Sequence, residues 1–142
     1  MLLALLLAAV HADPQPVTNA QYRQCVAASA CKPAAFEDAR SAANAKTGKA
    51  ENAAAYAKRS GPTQPAVGVS WDDAAAYCKF SGGKLASEAE WLVAQGKVRG
   101  FSEWVSDLFL AGRPQRVLRD PKHRSGELPS ARAHWITFRC SR

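Results

Sequence analysis

Four cysteines, Cys25, Cys31, Cys78 and Cys140, stand in a chain of 142 residues and are its most chemically committed groups. A cysteine acts as a thiolate nucleophile, as a soft metal ligand, or as half of a disulfide. The metal option wants ligands close in sequence, as in a Cys-x-x-Cys pair. No such pair occurs, the three histidines (His11, His123 and His134) are scattered, and zinc is not expected. The disulfide option leaves three pairings open. Cys25 and Cys31 flank a short stretch, Val26 to Ala30, across which a local clip is easy to form. Cys78 and Cys140 would then close a loop of about 60 residues, which in the chain-entropy account restricts the unfolded chain by roughly 4 kcal/mol.

The other polar groups read as structural. Ser70 precedes Asp73, and Ser87 precedes Glu90, by the three-residue spacing of a capping box. No histidine lies near either serine in the predicted layout, so no nucleophilic triad is assigned. Asp72, Asp73, Glu88 and Glu90 fall in first helical turns, where acids meet the positive end of the dipole. Lys46-Thr47-Gly48-Lys49 lacks the second glycine and the Lys-Ser/Thr ending of a phosphate loop. No catalytic residue emerges.

The elements that would hold these groups are short. Thr18-Asn19 caps a helix with Tyr22, Cys25, Val26 and Ser29-Ala30 on its apolar face, ended by Lys32-Pro33. A second helix is read over Ala50 to Lys58, inside an alanine-rich irregular stretch. Val67 to Val69 reads as a strand. Ser70 opens a helix through Phe80, stopped by Ser81-Gly82-Gly83. Ser87 opens another, carrying Trp91, Leu92 and Val93 and closed by Gly96. Glu103 to Leu110 alternates as a strand with Trp104, Leu108 and Leu110 on one side. Val117-Leu118 and Trp135 to Phe138 complete the strands. Helices first and strands last make the class α+β.

Composition limits the core. There are 29 alanines, while Leu, Ile, Val and Phe make up only 20 of the 130 residues after position 12. That is lean for a globular domain, so aromatic anchors, cross-links or a partner must help. Residues 1–12, MLLALLLAAVHA, resemble the end of a secretory signal peptide, though no Lys or Arg precedes the apolar run. The competing reading is a buried N-terminal helix. The run is too short to span a bilayer, so the chain is not expected to be transmembrane. An exported chain meets an oxidising compartment, periplasmic or extracellular, where cysteines pair. Net charge is +7, and residues 97–142 carry ten Lys/Arg against four Asp/Glu. Such a tail suits a polyanion. The cations are spread rather than clustered, which favours a solvated face and arginines bracing loops, and no nucleic acid is expected.

Six blocks carry a resemblance. Pro16 to Tyr22 (PVTNAQY) resembles the "EVTNAQY" opening of the formylglycine-generating enzyme family, the sulfatase-modifying factor domains. Pro65 to Cys78 is similar to "PVVGVSWDDAAAYC". Gly83 to Trp91 is similar to "GRLPTEAEW", with Ala86 for proline. Glu103 to Asp107 resembles the tail of "GNVWEWVSD", Arg116 to Arg119 resembles "RVLRGGSW", and Phe138-Arg139-Cys140 resembles "GFRC". The blocks keep their order across residues 16–140. The resemblance implies one domain over 13–142 with a loop-rich, abbreviated, C-type-lectin-like fold. It also implies a bond between Cys78 and Cys140. Trp71, Trp91 and Trp104 would be core anchors rather than a ligand platform, their large buried area offsetting the shortage of aliphatic residues.

The departures bear on function. Active members oxidise a substrate cysteine to formylglycine at a copper site built on two cysteines shortly before "GFRC". Between Arg119 and Cys140 this chain has no cysteine, so copper is not expected. The segment between "TEAEW" and "GNVWEW" is contracted to Leu92–Ser102. The strand usually preceding "EVTN" is absent, and the leader, or a clipped start, occupies its place. Glu103 matches a family calcium ligand, but Gly100 stands where an asparagine belongs, and one carboxylate cannot hold an ion that wants six to eight oxygens. Glu103 is therefore a lone calcium candidate, and no cofactor is expected. The leading expectation is a non-catalytic, exported binding or scaffolding module, with an unknown protein or polyanionic ligand as partner. The alternatives are a divergent metal-dependent oxidoreductase of the same family and a truncated gene fragment.

Overall fold

A computed structural model describes residues 11–38, 50–94 and 96–142. Most of the leader and the whole Lys46–Lys49 stretch lie outside the described residues. The described chain mixes four helices with six strands. The helices are α1 (Asn19–Ala27), α2 (Ala50–Ala57), α3 (Trp71–Phe80) and α4 (Glu88–Val93). The strands are β1 (Lys84–Leu85), β2 (Ser102–Leu108), β3 (Arg116–Arg119), β4 (Arg124–Glu127), β5 (Ile136–Phe138) and β6 (Cys140–Ser141).

Three helices start where their capping residues stand. The Thr18 hydroxyl accepts from the Gln21 N–H, and the Gln21 side chain accepts from the Thr18 N–H, closing a capping box. Ser87 and Glu90 do the same for α4. Ser70 accepts from the Asp73 N–H and donates its own proton to the Asp73 carboxylate. The first helix stops at Ala27, short of the expected Lys32-Pro33. Ser29 adopts a left-handed backbone with φ 59°, and the Ala30 and Cys31 N–H groups return to the Cys25 carbonyl.

The strands form a four-stranded sheet in the order β4-β3-β2-β5, antiparallel except for the parallel β2–β5 pair, and a separate antiparallel β1–β6 pair. The N-terminal segment joins the smaller pair. Ala12 bridges Ser141, and the Asp13 N–H donates to the Cys140 carbonyl. The chain before the "EVTN"-like block is thus built into the fold.

Two expected strands are revised. Val67 to Val69 is buried but is not a strand. Its neighbourhood bonds to three separate segments, through Ala66 to Val17, Gly68 to Ala133 and Ala35 to Gly68, so no single partner strand exists. The register of β2 breaks between Trp104 and Leu108. The alternation is lost there, and Leu108 and Leu110 are exposed instead of sharing the Trp104 side. Trp135 is likewise partly exposed and precedes β5.

Two apolar clusters lie on opposite faces of β2 and β3. The larger packs Val17, Tyr22, Val69, Tyr77, Trp104 and Phe138 among its members, with both disulfides inside it. Tyr22, Tyr77 and Phe138 are mutual ring neighbours at centroid distances of 5.7–6.4 Å. The smaller joins Trp91, Val105 and Val117, with Phe109 against them.

Candidate functional site

All four cysteine sulfurs are in disulfides. Helix α1 carries Cys25, and the Ser29 turn brings Cys31 back to it, with Cα atoms 5.3 Å apart. Helix α3 carries Cys78, and β6 presents Cys140 beside it at a Cα–Cα distance of 5.4 Å. Cys25, Cys78 and Cys140 are fully buried, and no cysteine is free. Copper(I) chemistry of the family kind needs thiolates, and this chain has none left to offer. The ligand set therefore does not fit a thiolate-bound copper.

Glu103, the calcium candidate, has another role. It lies on β2 and is buried. Its two oxygens accept from Arg139, Nε to Oε1 at 2.7 Å and Nη2 to Oε2 at 2.9 Å. Arg139, also fully buried, donates further to the carbonyls of Asp13 and Pro14 at 3.2 Å and of Gly96 at 3.3 Å. A carboxylate and several backbone carbonyls are the donors a hard cation would gather. Here the guanidinium gathers them. Calcium at Glu103 would have to displace a buried cation from its bidentate partner, and in this structure Glu103 is the acid of an internal ion pair. Among the described residues no group of three or more His, Cys, Asp or Glu converges to hold a metal.

The three tryptophans sit as anchors. Trp104 is fully buried, and its indole N–H donates to the Val69 carbonyl. Trp91 is fully buried in the smaller cluster. Trp71 is half-buried at the start of α3 and donates to the Val105 carbonyl. Trp71 carries one cation over its ring and Trp91 carries two. The Arg116 guanidinium lies 3.8 Å from the Trp71 centroid, while Lys97 and Arg119 lie 4.4 and 5.2 Å from that of Trp91.

The basic tail is largely committed inside the fold. Arg116 donates to the Ser106 carbonyl, and Arg119 and Arg124 share the Glu88 carboxylate. Arg132 meets Asp38, and Arg142 meets Asp13. His123 packs against Asp120 within its own turn, and His134 meets the Tyr56 ring edge-on, so the two histidines serve separate local structures. Asp120 is held below the usual carboxylate range. Slight burial works against this, and the backbone N–H groups of Lys122 and His123 outweigh it. Glu90 is also lowered. Its partial burial opposes the shift, and its bonds with Ser87 overcome it.

Sequence reasoning missed the short strands β1 and β6, and two further features. The partnership of Arg139 with Glu103 left one signal, a charged residue between Phe138 and Cys140 in a segment otherwise apolar enough to be buried. The second is strand β4, Arg124–Glu127, whose RSGE sequence has no strand signature.

Comparison with known proteins gives the family. Residues 6–109, nearly three quarters of the chain, match the sulfatase-modifying factor enzyme 1-like domain. A formylglycine-generating enzyme from Streptomyces coelicolor (strain ATCC BAA-471 / A3(2) / M145) is 43% identical over 54 residues, which cover 37% of this chain and 17% of that enzyme. The chain belongs to the sulfatase-modifying factor family. The aligned stretch spans under a fifth of the relative's length.

Proposed function

We propose that this member of the sulfatase-modifying factor family is a non-catalytic binding or scaffolding domain. In this reading it works in the periplasm or outside the cell, on an abbreviated C-type-lectin-like fold. One observation carries the proposal: every cysteine sulfur is spent on holding the fold, so no thiolate remains to seat copper or to exchange with a substrate cysteine. The two buried cross-links support export, because such bonds persist in oxidising compartments. Family membership, the mixed helix and strand content and the long loops support the fold reading. Among the described residues no helix is long and apolar enough to cross a membrane.

The test is a thiol titration of unreduced, unfolded protein, paired with an assay of aldehyde formation on a cysteine-containing peptide in the presence of copper and oxygen. The expected result is no titratable thiol and no aldehyde. Free thiols, together with stoichiometric copper retention and oxidation of the peptide cysteine, would overturn the reading and restore the divergent oxidoreductase.

A further inference from the structure

The connection between β2 and β3 builds a feature that the disulfides and the ion pair leave unused. Phe109, Leu110, Arg113 and Gln115 from that connection, with Gly126 from β4, line an open depression of about 390 Å³. Gly126 makes it possible. A Cβ there would come within 2.5 Å of the Phe109 ring, so the absence of a side chain lets the ring lie over the strand. The floor is apolar, and Leu110 beside it is 58% exposed. The single charge in the lining is Arg113, which is exposed and has no ion-pair partner among the described residues. No carboxylate lines the depression.

Strand β4 is the adjoining sheet edge and pairs only with β3. An edge strand turns alternate N–H and C=O groups outward, ready to pair with another strand. A peptide added to that edge places every second side chain on the face that carries Phe109. Residues 109–127 hold five Lys or Arg against Asp120 and Glu127, and Arg119 and Arg124 share Glu88, so five cations face three acids and the unpaired Arg113 matches an anionic occupant. A second copy of the chain would bring the same positive field. A polyanion would seek several free cations, but Arg116, Arg119 and Arg124 are already engaged.

We propose that the β4 edge and the Phe109–Arg113 depression form a docking groove for an extended acidic peptide, with a carboxylate on Arg113 and an apolar side chain two residues away on Phe109 and Leu110. This deepens the binding-module reading and rests on it. The probe is the fluorescent peptide Glu-Thr-Leu-Thr-Glu, compared with Lys-Thr-Leu-Thr-Lys, titrated against the full, unreduced chain by anisotropy. Saturable binding of the acidic peptide is expected, with the lysine peptide weaker by at least about tenfold. Arg113→Glu should weaken the acidic peptide by at least about tenfold, while Arg99→Glu, the same charge change at another exposed position, should leave it within about twofold. Circular dichroism checks that both variants keep the parent fold.

Absence of saturation, or equal losses in the two variants, would overturn the groove. So would a heparin fragment that binds where the peptide does not, or a self-association in sedimentation that Arg113→Glu abolishes. The aldehyde assay above reads cysteine oxidation, not docking, so failure of one proposal is separable from failure of the other.

Discussion

Tyr22 links the core to pH. Its ring sits between Tyr77 and Phe138, and its hydroxyl donates to the Lys32 carbonyl. Burial, reinforced by Asp73, pushes its ionisation well above the ordinary tyrosine value, and burial is likewise the leading cause of the upward shifts at Tyr56 and Tyr77. These are all the tyrosines of the chain. In the unfolded chain they lose protons near pH 10, while the folded chain retains them. The unfolded state then binds fewer protons, so stability falls as pH rises. The contribution is intact below about pH 10 and is lost progressively above it. Urea melts at stepped alkaline pH should show a falling midpoint that Tyr22→Phe makes shallower, and an unchanged slope in that variant would contradict the assignment. The Glu103–Arg139 pair gives a second residue-level prediction. Arg139→Met strands a buried carboxylate and should cost about 3–5 kcal/mol, whereas adding Glu103→Leu removes the orphan charge and should recover much of it. Chemical denaturation of the parent and the two variants decides this, and a double variant no better than the single would mean the carbonyl contacts of Arg139 matter more than the charge.

Gly96, beyond helix α4, lies against the N-terminal segment. Gly96 has φ +73°, and a Cβ there would meet the Pro14 carbonyl oxygen at 2.1 Å. The obstacle is backbone, so Gly96→Ala combines left-handed strain with a displacement of residues 13–14 from Arg139. A loss of about 1–3 kcal/mol is expected in a melt, accompanied by faster amide exchange at Asp13. Unchanged exchange there would argue that the clash is relieved elsewhere. The starts of α1, α3 and α4 were legible because a cap is written in adjacent residues: Thr18 with Gln21, Ser70 with Asp73, Ser87 with Glu90. The end of α1 was not, because Ser29 turns the chain in a way that only the clip between Cys25 and Cys31 accounts for. Strands β1, β4 and β6 are two to four residues long and exist by virtue of their partners, so no local pattern announces them. Glu103 was legible as a functional-looking acid but not as half of an ion pair, since its partner lies 36 positions away.

Across the whole molecule, the Cys78–Cys140 bond joins what the lean core joins weakly. It ties α3 to β6. Strand β6 in turn pairs with β1 through Leu85 and Cys140, and its Cys140 carbonyl receives Asp13. One covalent link therefore connects the middle of the chain, its last strand and its entry segment, across a sequence separation of 62. The Cys25–Cys31 bond spans only 6 and constrains one turn. In the chain-entropy account the long loop contributes roughly 4 kcal/mol and the short one roughly 2 kcal/mol. Total stabilities run to about 5–15 kcal/mol, so the first is a large share for a chain this poor in aliphatic residues. Replacing Cys78 and Cys140 together by Ser should lower the denaturation midpoint about twice as far as replacing Cys25 and Cys31 together, and full reduction should abolish the cooperative transition. A cooperative melt in the unreduced chain also separates a folded domain from a fragment without stable structure. If the two double variants ranked in the opposite order, loop entropy would be the wrong account. The stabilising effect of these bonds would then lie in the native packing of Cys25 against Tyr22 and its neighbours in the larger cluster.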